Sequence, residues 1–100
     1  MASIKLRLDA KEDLKQIKEY ISKDSIYYAN KTIEGITEKI KYLSTFPYMG
    51  RKIPEFDNPN FRELIYKSYR IFYKVNLNVY VLKIFHHSRD FLNSVNIINN

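Results

Sequence analysis

Two arginines and a histidine pair stand where neighbouring strands would end. Tyr69-Arg70-Ile71-Phe72-Tyr73-Lys74-Val75 is answered, after Asn76-Leu77-Asn78, by Val79 to Phe85 and then His86-His87-Ser88-Arg89-Asp90. Cations gathered at a sheet edge suit an anion, either a phosphate backbone or an acidic peptide. The histidines are the side chains here whose ordinary pKa lies near neutrality, so they can accept or donate a proton. Cleaving RNA through its own 2′-hydroxyl needs such a set: a base, an acid and a cation on the phosphoryl oxygens. Glu55 or Glu63 could supply a carboxylate base. The same residues also admit a structural reading, in which a histidine packs under the terminal segment and Arg89 pairs with Asp90 or Glu63.

A second group concerns binding. Alternation along the middle strand puts Tyr69, Ile71, Tyr73 and Val75 on one face and Arg70, Phe72 and Lys74 on the other. An aromatic ring between two cations is a plausible nucleic-acid surface, although charges on a solvated strand face serve solubility as well. Arg51-Lys52, following Gly50, join this face only if their loop folds over it.

The rest of the chain must position these side chains. One hundred residues support one domain, with 45% apolar and 28% charged residues as in an ordinary globular protein. There is no cysteine, so disulfides and thiolate metal sites are excluded, and two adjacent histidines make a poor zinc site without a third ligand. No cofactor is expected. No run approaches a membrane span and Met1-Ala2-Ser3-Ile4-Lys5 lacks the apolar core of a signal peptide, which predicts a cytoplasmic protein. The net charge is +6, and residues 51–100 carry +4 of it, with eight basic against four acidic side chains.

Ile4-Lys5-Leu6-Arg7-Leu8 alternates as a strand. Asp9 with Glu12 three residues on predicts a helix start, and Ala10, Leu14, Ile17 and Ile21 keep helical spacing. Asp24 or Ser25 caps a second helix whose seam is Ile26, Ala29, Ile33, Ile36, Ile40 and Leu43, ending at Phe46-Pro47. Gly35 inside it costs about 1 kcal/mol unless close packing requires it. Pro47, Pro54 and Pro59 with Gly50 mark a loop. Three strands follow, over 61–67, 69–75 and 79–86, and a short helix over 90–98 is possible. The expected fold is α+β: an N-terminal strand, an antiparallel helical hairpin and a three-stranded antiparallel meander in one small sheet, its far face partly open.

Gly50-Arg51 with Pro54-Glu55, Arg62-Glu63-Leu64, Tyr69-Arg70-Ile71-Phe72-Tyr73 and His86-His87-Ser88-Arg89-Asp90 resemble the RelE/ParE superfamily of type II toxin–antitoxin toxins, as does the hairpin with Asp13-Leu14, Ile17 and Tyr20-Ile21. The likeness spans roughly residues 4 to 92. It implies a growth-inhibiting toxin held inactive by a cognate antitoxin, for which an acidic, amphipathic partner suits a basic chain. In RelE-like members it implies messenger RNA cleavage in the ribosome. Arg70 then matches the arginine on the scissile phosphate, Arg89 the C-terminal basic residue and Glu55 the loop carboxylate, with His86 and His87 beside them. In ParE-like members it implies inhibition of DNA gyrase without nuclease activity; a non-toxic member acting only as a binding module is the third alternative. On any of these readings Arg51, Lys52, Arg62, Phe72 and Lys74 are the candidate substrate- or target-binding residues. The ending from His86 to Asp90 and the Gly50-Arg51, Pro54-Glu55 pair resemble the ParE-like branch. Phe91, where several ribonucleases carry a tyrosine, departs from the other.

Overall fold

The computed structural model describes residues 1–87. The expected terminal helix over 90–98, and Arg89 with it, lie outside the described residues. Strand β1 (Ile4–Leu6) leads directly into helix α1 (Leu8–Ser22), helix α2 (Ile26–Lys41) and a 3₁₀ turn (Tyr42–Ser44). Strands β2 (Arg51–Lys52), β3 (Phe61–Tyr66), β4 (Tyr69–Asn76) and β5 (Asn78–His86) complete the order. Among the described residues they form one five-stranded sheet, β1-β5-β4-β3-β2. The meander is antiparallel, and β1 joins β5 in parallel. The α+β architecture is as the sequence predicts, but the sheet gains β2, two residues out of the proline loop paired with Glu63 and Arg62 of β3. Two cations carry no alternating signal, which is why this edge strand is not visible in the sequence.

Helix α1 starts two residues earlier than the Asp9 signal implies, with Arg7 in the N-cap position. Arg7 serves both elements: its N–H donates to the Val81 carbonyl (3.0 Å) and its carbonyl accepts from the Lys11 N–H (3.1 Å). Strand pairing therefore sets the helix start, and Asp9 becomes a first-turn acid favoured by the helix dipole. Helix α2 is capped as expected, with the Ser25 hydroxyl accepting from the Tyr28 N–H (3.2 Å). Its buried seam begins at Ala29, since Ile26 is exposed. Its α-helical part stops at Lys41, and the tighter 3₁₀ turn carries Leu43 into the core before Phe46-Pro47. Gly35 lies against the Tyr66 ring, where an added Cβ would come within 2.1 Å of it. Close approach of α2 to β3 is the reason for glycine here.

Strand β5 does not alternate because it bulges. Tyr73 pairs with Val81 and Phe72 with Lys83, so Leu82 is the extra residue. Val79, Val81 and Ile84 consequently all reach the core under the helices, with Ile36, Ile40, Leu43, Ile71 and Tyr73. Phe85 falls on the opposite face. That face is not bare. Ile53, Phe72 and Phe85 are buried together there, flanked by Phe56 and Phe61 from the proline loop and β3.

Candidate functional site

On the face away from the helices, Glu63 of β3 is flanked by Arg51 of β2, its cross-strand partner. The Glu63 side chain is 0% exposed. Arg51 Nε donates to its Oε1 at 2.6 Å, and Arg70 Nε donates to its Oε2 at 3.1 Å, with a second donation from Arg70 Nη2. Glu55, from the loop, brings Oε1 to 3.6 Å from Arg70 Nη2. The Arg70 guanidinium also lies over the rings of Phe72 (5.0 Å) and Phe85 (5.8 Å). A carboxylate taken wholly out of water requires paired charge and hydrogen bonds, and two arginines supply both. The result is a fixed Arg51–Glu63–Arg70 triad on an aromatic floor.

The triad alters the roles read from the sequence. Arg70, 11% exposed along its side chain, is a partner of Glu63 and Glu55 and stacks on two rings rather than standing ready on the surface. Glu63 is consumed as a counter-ion and does not serve as a base. Arg51 keeps an exposed side chain, 62%, while holding Glu63. Lys52 is exposed beside it. Phe72 is 0% exposed, so it is part of the second core and not a stacking platform for bases, which corrects the sequence reading. Its burial follows from Ile53 and Phe56 folding over the sheet. Lys74 remains on this face, half-buried, with its ammonium 6.0 Å from the Phe61 ring centre.

His86 is separated from Arg70 by the sheet itself. Arg70 pairs across with Phe85, whereas His86 pairs with Tyr69, whose ring meets the imidazole edge-on at 5.7 Å and packs toward the helix-side core. Successive residues face opposite ways, so His86 and Arg70 are neighbours in the ladder on different faces. His87 is exposed, stacks on His86 at 6.3 Å and donates its N–H to the Ser68 carbonyl (2.8 Å).

Arg62 points away from the triad. It donates to the carbonyls of Pro59 (2.8 Å) and Gly50 (3.1 Å) and lies over the Tyr48 ring (5.0 Å), which makes it a clasp for the proline loop. Tyr73 is the second clasp. Its hydroxyl donates to the Pro47 carbonyl (2.8 Å) and accepts from the Gly50 N–H (3.0 Å). Burial raises the Tyr73 pKa above its ordinary value, opposed by the Gly50 N–H and the Arg62 charge. A Cβ on Gly50 would stand 2.5 Å from the Glu63 carbonyl and 2.6 Å from that hydroxyl, so only glycine fits. Asp13, seen in the sequence only as part of the hairpin likeness, ties α1 to β5: it accepts from Lys83 Nζ (2.8 Å) and the Ile84 N–H (2.9 Å), beyond the end of β1.

Residues 4–91 match a model of the family described as ParE toxin of type II toxin–antitoxin system, parDE. Solved structures carry the same fold. A chain of the chromosomal ParDE toxin–antitoxin system from P. aeruginosa is 24% identical with a TM-score of 0.71, covering 86% of this chain and 96% of that one. A free arginine-to-alanine double mutant of the E. coli toxin RelE gives 18% and 0.66, covering 98% and 99%. A chain of the RelBE2 toxin–antitoxin complex from Mycobacterium tuberculosis gives 17% and 0.61, covering 85% and 90%. No curated protein sequence matches.

Proposed function

Because this chain belongs to the ParE toxin family of type II toxin–antitoxin systems, we propose that it halts growth by binding and inhibiting DNA gyrase in the cytoplasm, not by cutting messenger RNA, and that a cognate acidic antitoxin neutralises it. The observation that carries the choice is the fate of Arg70. The ribonuclease reading requires it on the scissile phosphate, yet here it is committed to Glu63 and approached by Glu55. A carboxylate already holding the guanidinium competes with any phosphoryl oxygen and lowers the local positive potential. His86, the histidine at the end of β5, lies across the sheet from it. The net charge of +6 supports an acidic antitoxin and an acidic or DNA-bearing target alike.

The test is induction from a tight promoter with plasmid supercoiling and protein synthesis followed in parallel, and purified gyrase assayed with the purified chain. Supercoiling is expected to fail first, with transcripts intact. Early loss of translation with cleaved transcripts would overturn the gyrase reading, and disappearance of those cuts in Arg70→Ala would assign the ribonuclease. Co-expression of a neighbouring small acidic reading frame is expected to restore growth.

A further inference from the structure

With Arg51 and Arg70 engaged by Glu63, the cations of the face away from the helices that make no ion pair among the described residues lie toward its other end; Lys52 and Arg62 make none either but share the parity of Tyr73. Register places Lys5 of β1 beside Tyr80 of β5, Tyr80 beside Lys74 of β4 and Lys74 beside Phe61 of β3. All four share the face away from the helices. Lys5 stands between Ile4 and Leu6, Tyr80 between Val79 and Val81, and Lys74 between Tyr73 and Val75, and those flanking residues belong to or pack on the helix-side core. Arg7, two residues after Lys5 and exposed, extends the row. None of Lys5, Arg7 and Lys74 makes an ion pair among the described residues, whereas Lys83, the next basic residue along β5, is held by Asp13. The row lies about 14 Å along β4 from Arg70 (four residues at about 3.4 Å each).

We infer that the Lys5–Tyr80–Lys74 row is a docking strip for single-stranded nucleic acid. Adjacent strands are about 4.8 Å apart, so the two lysines flank Tyr80 with their backbones about 10 Å from one another. A half-exposed phenol between two ammonium groups lets a base stack while the phosphates on either side meet a cation. Phe61, with Lys74 over its ring, offers a second apolar surface at the end of the row. A chain of acidic residues alone would use the lysines and arginine but gain nothing from the interleaved aromatics. The inference does not rest on the gyrase reading, and the assay contains no gyrase.

The experiment is fluorescence anisotropy of a labelled oligothymidylate with the purified full chain over a range of salt. Salt-dependent binding is expected. Lys5→Glu with Lys74→Glu should weaken it by about tenfold or more and reduce the slope of log K against log salt by about 1.4, at about 0.7 per lost phosphate contact. Tyr80→Ser should weaken it by about tenfold with the slope unchanged, because stacking releases no counter-ion. Lys5→Gln with Lys74→Gln gives the same reading more mildly if charge reversal impairs folding, which thermal melting of each variant reports. Affinity unchanged in these variants, equal affinity for polyglutamate, tighter binding of a duplex, or an equal loss in Arg51→Glu would each overturn the strip.

Discussion

Tyr73 shows how one side chain can hold a loop in place. Its ring lies in the core while its hydroxyl bridges the Pro47 carbonyl and the Gly50 N–H. Tyr73→Phe keeps the ring and leaves the Gly50 N–H without that acceptor, at a cost of about 1–3 kcal/mol. The pH dependence has a definite sign. Burial raises the folded pKa above the ordinary 10.0, so above that pH the unfolded chain loses the phenol proton first and stability falls as pH rises. The advantage of the wild type over Tyr73→Phe should be constant below about pH 9 and shrink above about pH 10. Paired melting curves across that range check it, and a difference that stays level would refute the buried-phenol account. Tyr73 was legible as a core residue from alternation. Its hydroxyl contacts were not, because Pro47 and Gly50 are more than twenty residues away in sequence.

At the level of elements, the joint between α2 and β3 turns on Gly35 and Tyr66. Glycine inside a helix costs about 1 kcal/mol relative to alanine, yet an alanine Cβ here would drive into the Tyr66 ring. In a Tyr66→Ala background, Gly35→Ala is therefore expected to stabilise by about 1 kcal/mol, a gain that the wild-type background should lose. Denaturant melts of the four proteins in the cycle measure this, and equal effects in both backgrounds would dismiss the packing explanation. The helices, the Ser25 cap and the meander were readable because each depends on local periodicity and turn residues. Two turns use φ near +53° at Lys67 and +62° at Leu77, positions a sequence reading assigns to glycine or asparagine. The bulge at Leu82 was readable only as a failure of alternation, since its cause lies in pairing with β4.

Across the whole molecule, the sheet is buried on both sides, by helices on one and by the proline loop on part of the other. Phe72→Ala would empty the second core and cost about 3–5 kcal/mol, lowering the melting temperature by about 12 °C or more. Lys74→Ala, two residues on along the same face, should stay within about 0.5 kcal/mol of the wild type. Calorimetry of the two variants distinguishes this arrangement from an open face, on which both changes would be small. No helix among the described residues is long and apolar enough to cross a membrane.

The element order, the α+β class, the basic second half and the family likeness were all carried by local patterns: the 3.6- and 2-residue periods, capping and turn residues, and short motifs in a fixed order. Which cations are left unpaired was decided in three dimensions. Charge is visible residue by residue, but its neutralisation depends on which carboxylate the fold buries beside it. Glu63 takes Arg51 and Arg70, Asp13 takes Lys83, and the loop covers Phe72, so on the face away from the helices Lys5, Arg7 and Lys74 are left without an ion pair among the described residues.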